Sequence, residues 1–319
     1  MDRPVITRFA PSPTGLLHLG HAYAAKVAHD LASQSGGKMI LRIDDIDHTR
    51  CRDIYTAQIF NDLDWLGLNW YGSASDAQSG SNAPRQSQRM PAYQAALKTL
   101  QDKGLVYPCY LSRRELNALL SAPHAPPASQ IDRATPAAAS TSVIANTDQL
   151  LSKKEQVRRH AAGQGVAWRL RMDAAIEMAL SRNDGSGHDG KTLSWFDHLV
   201  GWQIANPAQF GDMVIARADI DVSYHLSVVI DDALDGVTLV TRGNDLAAST
   251  HLHRLLQALF ALSVPDYCHH ALVLDQAGKR LAKRDSAHSL EMMRQIHDDP
   301  SSIFAKTPPI PAVNLPGNI

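Results

Sequence analysis

The sequence has little cysteine and no excess of positive charge, and each of these features excludes a class of protein. Its three cysteines, Cys51, Cys109 and Cys268, are far apart, and none forms a Cys-x-x-Cys pair. We therefore expect neither a disulfide framework nor a cysteine zinc site, and we expect a reducing, cytoplasmic location. Lys and Arg number 31 against 32 Asp and Glu, so the net charge of −1 gives no overall attraction to nucleic acid. Any contact with RNA must use local patches of positive charge.

The chain also lacks an apolar run long enough to span a membrane. At the amino terminus, Pro4 and the charged Asp2, Arg3 and Arg8 stand where a signal peptide would need an apolar stretch. We expect a soluble protein without membrane association. Of the 319 residues, 44% are hydrophobic and 20% are charged, which is typical of a globular protein with two domains or with one domain and a large insertion.

Short apolar runs alternate with helical patterns in the first part of the chain. Residues 5–10 favour a strand, and a turn with proline and glycine at 11–15 leads into a helical pattern over 16–32. A second apolar run covers 39–43, and the apolar spacing over 54–66 indicates another helix. Strands that alternate with helices predict an α/β fold built on a parallel sheet.

The same alternation resumes in the last third of the chain. Strand candidates lie at 213–217, 228–230 and 237–241, and the apolar spacing over 250–262 predicts a helix. The simplest account is one parallel sheet whose two halves are separated by an insertion. We therefore predict a first half, an insertion, and a second half with a short helical extension, at 1–106, 107–206 and 207–319.

Two features stand out in the predicted insertion. Residues 121–147 are dominated by Ala, Pro, Ser and Thr, with almost no large apolar side chains, which predicts a mobile loop. Helical character returns after it, where Lys153, Lys154, Arg158 and Arg159 form a basic cluster. The cluster is a candidate for contacts with RNA phosphates, and a solvated helix face explains it equally well.

The first candidate motif is a pair of histidines at the start of the first predicted helix. His18 and His21 are three residues apart, so their rings lie on one face, next to N–H groups that favour an anion. Gly20 has no side chain, so a nucleotide could approach the backbone closely. Two such histidines are usually surface residues. Because a strand, a turn and a helix start coincide here, we instead predict a phosphate and nucleotide site at His18, Gly20 and His21.

The second candidate motif is Lys279-Arg280-Leu281-Ala282-Lys283-Arg284, which follows a strand candidate at 272–274. Four cations in six residues either face solvent or surround a polyanion, and the motif alone favours solvent. Together with a distant nucleotide site, it becomes a candidate partner for a triphosphate. Lys283 and the histidine donors would then stabilise the charge that develops when a carboxylate attacks the α-phosphorus and pyrophosphate leaves.

In combination, these motifs resemble those of the class I aminoacyl-tRNA synthetases of the glutamyl type. The HIGH motif of that family appears as His18-Leu19-Gly20-His21, and its KMSKS motif appears in altered form at 280–284. Further similarity lies at 8–12, 41–47, 85–89, 229–232 and 241–243. The resemblance implies a Rossmann-type catalytic domain, split by an insertion of the acceptor-binding type, that uses ATP with Mg²⁺. It also implies that His18, His21 and Lys283 are the catalytic and ATP-binding residues.

The resemblance further implies a pocket for L-glutamate, formed by Arg8, Ala10, Ser12, Asp44, Tyr224 and Arg242. Arg8, Tyr224 and Arg242 would hold the side-chain carboxylate, while Ser12 and Asp44 would hold the α-amino end. Two guanidinium groups that face one carboxylate would reject glutamine, because a neutral amide leaves buried positive charge unpaired. The alternatives are ordinary ion pairs for the two arginines and a structural role for Asp44, where the family usually has the longer glutamate.

The part of the chain after the KMSKS-like motif is too short for an anticodon-binding domain. With this short part and the motif Tyr224-His225-Leu226, the chain most resembles the branch of the family that activates glutamate without tRNA. Members of that branch attach glutamate to the queuosine base at the wobble position of tRNA(Asp). The alternatives are a shortened enzyme that charges tRNA(Glu) and a catalytically silent paralogue that binds nucleotide or RNA.

Two departures from the family pattern affect these expectations. The family's zinc cysteines have no counterpart after Cys109, so we predict no zinc. Ala282 replaces the serine of the KMSKS motif and removes one hydroxyl donor, but Lys283 remains, so we expect activity to survive. We expect a monomer.

Overall fold

The structure is a computed structural model that describes residues 4–80, 82–112, 114–116, 145–181, 192–217, 222–274, 289–296 and 299–315. Most of the predicted loop at 121–147 and the whole basic motif at 279–284 lie outside these ranges. The strands are β1 (Ile6–Phe9), β2 (Lys38–Leu41), β3 (Val106–Cys109), β4 (Ala167–Leu170), β5 (Ser194–Asp197), β6 (Gly201–Ile204), β7 (Val214–Arg217), β8 (Leu239–Gly243) and β9 (Asp266–His270). The α-helices are α1 (Leu19–Gln34), α2 (Asp53–Trp65), α3 (Met90–Asp102), α4 (Lys153–Ala161), α5 (Met172–Ser181), α6 (Tyr224–Leu234), α7 (Ser249–Phe260) and α8 (Leu290–Ile296).

Parallel strands form the centre of the protein. β1 pairs with β2, β8 pairs with β9, and β5 joins the far side of β9 through Asp197 and Tyr267. The N–H of Thr238 donates to the Ile6 carbonyl over 2.9 Å, and the N–H of Ile6 donates to the Thr238 hydroxyl over 2.8 Å. These bonds place β1 beside β8, so the carboxyl ends of β1, β8 and β9 lie at one edge. The predicted α/β fold with a parallel sheet is confirmed.

A separate antiparallel sheet is formed from the middle of the sequence, with the strand order β3-β4-β7. β5 and β6 form an antiparallel hairpin. By sequence, β5 falls in the predicted insertion, yet it pairs with β9 of the parallel sheet. The division into 1–106, 107–206 and 207–319 stays a prediction.

The first turn of α1 explains why a helix starts immediately after the Pro-Gly turn. The ring of His18 accepts a hydrogen bond from the backbone, and the ring of His21 accepts one in return, which forms a capping box. The apolar face of α1 then packs on β1 and β2, in a core that also includes α2 and the carboxyl-terminal residues Leu290, Ile303 and Leu315. The short carboxyl-terminal extension therefore packs in the same hydrophobic core as β1, β2 and α1.

Two predicted strands are wrong. Residues 228–230 lie inside α6, which Ser223 caps by accepting a hydrogen bond from the Leu226 N–H over 3.3 Å. A short apolar run cannot by itself distinguish a buried strand from one face of a buried helix. The strand near 272–274 is β9 instead, and it ends at His270. Within the described ranges, no helix is long and apolar enough to cross a membrane.

Candidate active site

A cavity of about 290 Å³ opens where β1, β8 and β9 end and α1 begins. Ligands of parallel α/β folds bind at this edge of the sheet. The predicted site residues that the structure describes all line it: Arg8, Ala10, Ser12, His18, Gly20, His21, Asp44, Tyr224 and Arg242. Lys283 lies outside the described residues. Val273, which precedes Lys283 in the sequence, lines the cavity. Ser289, which follows Lys283, pairs with His18 in an antiparallel bridge.

Arg8, near the end of β1, is held by a carboxylate and a carbonyl group. Its Nε donates to the two carboxylate oxygens of Asp232 over 3.2 and 3.3 Å, and its Nη1 donates to the Thr241 carbonyl over 2.9 Å. Its Nη2 donates to none of the residues that the structure describes, so this nitrogen can bind a ligand in the cavity. Arg8 therefore forms the ion pair that the alternative interpretation requires, and it also lines the cavity.

Among the residues that the structure describes, those that hold Arg242, in β8, are all neutral. Its Nε donates to His269 Nε2 over 3.1 Å, its Nη1 to His253 Nδ1 over 3.2 Å, and its Nη2 to Thr250 Oγ1 over 2.6 Å. Its guanidinium carbon lies 5.5 Å from the centre of the Tyr267 ring. Only 6% of Arg242 is exposed, and no carboxylate in the described part of the chain forms an ion pair with it. Because a buried cation without a counter-ion is costly, a ligand carboxylate in the cavity would be stabilised here.

Asp44 belongs to a buried network of charges behind the cavity. Arg42 is fully buried and donates to Asp44 over 2.8 Å, to Asp232 over 2.9 Å and to Asp235 over 3.0 Å. The charged members of the network are Asp44, Asp231, Asp232, Asp235, Arg8, Arg42 and Arg89. These four carboxylates and three guanidinium groups leave one unit of negative charge, and Asp44 is the carboxylate among them that lines the cavity.

Burial is the main cause of a raised pKa at Asp44, and the negative charge of the network adds to it. Burial, together with the nearby carboxylates of Asp231 and Asp232 and against the attraction of Arg42, raises the pKa of Asp44 to about 6. An ammonium group in the cavity would balance the network. The two interpretations of Asp44, as a ligand and as a structural carboxylate, are therefore compatible, because the same side chain contacts Arg42 and faces the cavity.

The two histidines at the start of α1 are oriented by their own backbone. Nδ1 of His18 accepts from the Gly20 N–H over 3.1 Å, and Nδ1 of His21 accepts from the His18 N–H over 3.2 Å. In the neutral rings the proton therefore sits on Nε2, and the ring centroids are 3.9 Å apart. Two N–H donors at a helix start are well suited to phosphate oxygens. A Cβ at Gly20 would lie 3.0 Å from Cε1 of His18, so glycine also makes room for this ring.

Tyr224 and Ser12 complete the predicted set. Tyr224 is the first residue of α6, is 42% exposed, and has its ring 6.0 Å from that of His253, which contacts Arg242. Ser12 lies in the turn after β1, where its carbonyl accepts from the Thr14 N–H over 2.8 Å. Tyr224 is therefore placed on the Arg242 side of the cavity.

The predicted basic cluster lies on α4. Lys153, Lys154 and Arg158 are exposed, whereas Arg159 is half-buried. Glu155 accepts from Arg158 Nε over 2.7 Å and from Arg159 Nε over 2.8 Å. Part of the positive charge is therefore neutralised within the helix, and a role of this cluster in RNA binding stays a prediction.

The residues that hold the two cavity arginines in place were not among the predicted site residues. They are Asp232, Thr250, His253 and His269. The only local signal was that polar side chains at 250, 253 and 254 interrupt the apolar pattern of the predicted helix over 250–262. Within the described ranges, no group of His, Cys, Asp or Glu side chains could hold a metal ion. The expected Mg²⁺ and the expected absence of zinc stay predictions.

A parallel sheet with a histidine-capped helix and a charged cavity at its carboxyl edge is the arrangement of a class I aminoacyl-tRNA synthetase catalytic domain. The family model for "tRNA synthetases class I (E and Q), catalytic domain" matches residues 4–307. The chain belongs to this family of ligases, which use ATP. The resemblance drawn from the motifs is confirmed.

Relatives within this family differ in length. The chain is 42% identical over 303 residues to the glutamyl-Q tRNA(Asp) synthetase of Rhodobacter capsulatus, a match that covers 94% of this chain and 98% of that protein. It is 35% identical over 296 residues to the glutamate–tRNA ligase of a Synechococcus species, covering 91% of this chain but 55% of the ligase.

The fold is also shared with a solved structure, that of a glutamate tRNA ligase from Elizabethkingia meningosepticum in complex with its amino acid. The TM-score is 0.64 at 24% identity, and the match covers 89% of this chain and 53% of the ligase chain. The chain thus spans about half the length of the glutamate–tRNA ligases it matches.

Proposed function

We propose that the chain activates L-glutamate with ATP in the absence of tRNA, and transfers the glutamyl group to the queuosine base at the wobble position of tRNA(Asp). The arrangement of charge in the cavity carries this proposal. Arg242 brings a buried positive charge that no carboxylate of the described residues pairs with, and Arg8 adds a guanidinium nitrogen from a second side chain. Asp44 brings excess negative charge. These features complement the side-chain carboxylate and the ammonium group of glutamate.

The choice of acceptor is supported by the similarity to named relatives. The chain is 42% identical to the glutamyl-Q tRNA(Asp) synthetase of Rhodobacter capsulatus, over 98% of that protein, and 35% identical to the glutamate–tRNA ligase of a Synechococcus species, over 55% of that protein. A shortened ligase that charges tRNA(Glu) is the competing function, and a silent nucleotide-binding paralogue is the third.

The described residues suit both steps of the proposed reaction. In the first step, an α-carboxylate oxygen of glutamate bonds to the α-phosphorus of ATP, the bond to the β-phosphate oxygen breaks, and pyrophosphate leaves. The Nε2–H groups of His18 and His21 would donate to the phosphate oxygens that gain charge. In the second step, the acceptor on the RNA attacks the glutamyl carbonyl carbon and AMP leaves. Arg8, Arg242 and Asp44 would hold the amino acid through both steps.

Glutamate binding should depend on pH through Asp44. The charged carboxylate attracts the ammonium group, and its pKa in the free protein is about 6. Affinity should therefore be constant above pH 7 and weaken by up to about tenfold per pH unit well below pH 6. Isothermal titration calorimetry with L-glutamate from pH 5 to 7.5 measures this. The Asp44→Asn variant should bind more weakly at pH 7 and lose the pH dependence. A wild-type Kd that is constant across the range contradicts the role of Asp44.

The first experiment on the function is glutamate-dependent exchange of pyrophosphate into ATP with no RNA present. The proposed activity requires exchange under these conditions. Exchange that appears only when tRNA(Glu) is added supports the shortened ligase, and its absence with every RNA supports the silent paralogue.

The acceptor is identified with radiolabelled glutamate, ATP and tRNA(Asp) from cells that contain or lack queuosine. We expect labelling only of the queuosine-containing RNA, and we expect labelling to persist after the 3′-terminal adenosine has been removed. Mass spectrometry of nuclease fragments should then place the glutamyl group on the anticodon-loop fragment. Labelling that requires the 3′ end would contradict the proposed acceptor.

A further inference from the structure

Behind Arg242 lies a pair of residues that do not line the cavity. His269 Nδ1 is 2.5 Å from Asp197 Oδ2, and His269 Nε2 is 3.1 Å from Arg242 Nε. Asp197 is 2% exposed. The result is a line of contacts from a buried carboxylate, through an imidazole, to the guanidinium group that faces the cavity.

The hydrogen bonds determine which nitrogen of His269 carries the proton. An arginine N–H can only donate, so His269 Nε2 must accept from Arg242 and is unprotonated. The hydroxyl of Thr250 accepts from Arg242 Nη2, and its own proton can point to the same Nε2, 3.2 Å away. The ring proton therefore sits on Nδ1 and is donated to Asp197. Burial lowers the pKa of His269 more than the bond to Asp197 raises it, so the ring is neutral near pH 7.

The parallel strands fix the geometry of this contact. Arg242 of β8 and His269 of β9 are register partners on adjacent strands, and Asp197 of β5 is the register partner of Tyr267. The rings of Tyr267 and His269 are parallel to within 6°, with centroids 5.5 Å apart. Since three neighbouring strands hold these side chains, the guanidinium group has little freedom to rotate.

The contact between His269 and Arg242 affects how far the charge of Arg242 is neutralised. Arg8 donates directly to the carboxylate of Asp232, which neutralises much of its charge. Arg242 instead reaches the carboxylate of Asp197 only through a neutral ring. A direct ion pair would compete with a ligand carboxylate, whereas an interposed imidazole holds the guanidinium group and leaves its charge unpaired.

We propose that Asp197 and His269 are positioning residues for Arg242, and that they set the preference of the site for an amino acid with a carboxylate side chain over one with an amide. The pair orients the guanidinium group toward the cavity without neutralising it. This inference rests on the proposed function, because the amino acid concerned is the glutamate that the site would activate.

The test compares His269→Leu with wild type in amino-acid-dependent exchange of pyrophosphate into ATP. Without the acceptor on Arg242, the KM for glutamate should rise by about tenfold or more, the effect expected for a lost hydrogen bond to a charged group. The KM for ATP should change less than about twofold, and the ratio of kcat/KM for glutamate to that for glutamine should fall. In His269→Gln, the side-chain carbonyl can accept from Arg242, so this variant should recover much of the loss.

The chain offers a matched control in His198, which pairs with Asp266 over 3.1 Å and does not line the cavity. His198→Leu removes a second His–Asp pair at the edge of the same sheet and should leave all three kinetic quantities unchanged. Thermal denaturation and circular dichroism establish that each variant is folded. If His269→Leu does not fold, Asp197→Asn serves instead and should raise the KM for glutamate several-fold.

Different results would contradict the proposed function and the positioning role of Asp197 and His269. If wild type neither binds nor activates glutamate, the proposed function fails. If wild type is active and a folded His269→Leu protein keeps the same KM for glutamate and the same discrimination against glutamine, the positioning role is overturned. An Asp197→Asn protein with wild-type kinetics, where His269→Leu is unfolded, overturns it as well.

Discussion

Replacing Arg242 with glutamine should lower kcat/KM for glutamate by roughly 30- to 5000-fold, the equivalent of about 2 to 5 kcal/mol for a truncated buried charge contact. The loss should be large because Arg242 carries the one guanidinium charge at the cavity that no carboxylate in the described ranges pairs with. Glutamine-dependent exchange should fall much less, so the preference for glutamate should narrow. Amino-acid-dependent pyrophosphate exchange measures both quantities.

The control for this variant is Arg158→Gln, which removes the same charge from a side chain that is 69% exposed on α4. Exchange without RNA should be unaffected by it. A comparison with Arg8→Gln distinguishes the effects of the two arginines. The Arg8 variant also removes one of the hydrogen-bond partners of Asp232, whereas the Arg242 variant does not. If Arg242→Gln loses activity equally with glutamate and glutamine, Arg242 does not select the side-chain carboxylate.

Replacing Arg42 with methionine should lower the free energy of unfolding by about 3 to 5 kcal/mol. Arg42 is fully buried and donates to Asp44, Asp232 and Asp235, so its removal leaves carboxylates without their shared cation. Urea denaturation at pH 7.5 measures the change. The loss should be smaller at pH 5, where protonation of Asp44 relieves part of the repulsion, since the pKa of Asp44 is already raised to about 6.

Two further variants test this explanation of the Arg42 effect. Arg50→Met, at a side chain that is 71% exposed, should change stability by less than about 0.5 kcal/mol. Adding Asp235→Asn to Arg42→Met should recover part of the loss, because it removes one negative charge from a network that has lost one of its cations. A loss below about 1 kcal/mol in Arg42→Met would mean that water or rearrangement compensates the buried carboxylates.

Local patterns were sufficient to predict the beginning of the fold. β1, the turn and α1 follow from an apolar run, a Pro-Gly segment and a helical spacing that all agree. α6 was predicted wrongly because its apolar residues at 228–230 are consecutive, and only its cap at Ser223 and its packing distinguish it from a strand. β9 was placed a few residues too late because its sequence, Asp-Tyr-Cys-His-His, has none of the β-branched residues that usually mark a strand.

The cavity residues could be chosen from the sequence because the motifs that contain them resemble those of a known family. The structure brings Arg8, Asp44 and Arg242 to one cavity, as the resemblance implies, and their roles stay predictions until they are tested. Their partners could not be predicted. Whether Arg242 meets a carboxylate or an imidazole depends on the register of β8 against β9, which is determined by packing across the sheet.

The hydrogen bonds between Ile6 and Thr238 join residues that are 232 positions apart. During synthesis, the ribosome therefore completes the histidine-capped helix long before β8 exists to stand beside β1. Until β8 and β9 have emerged, the growing chain has Arg8 but neither Arg242 nor His269 to complete the binding site. Because such distant pairing is slow and leaves strand edges exposed in the meantime, the nascent amino-terminal half should be the part that needs chaperone protection.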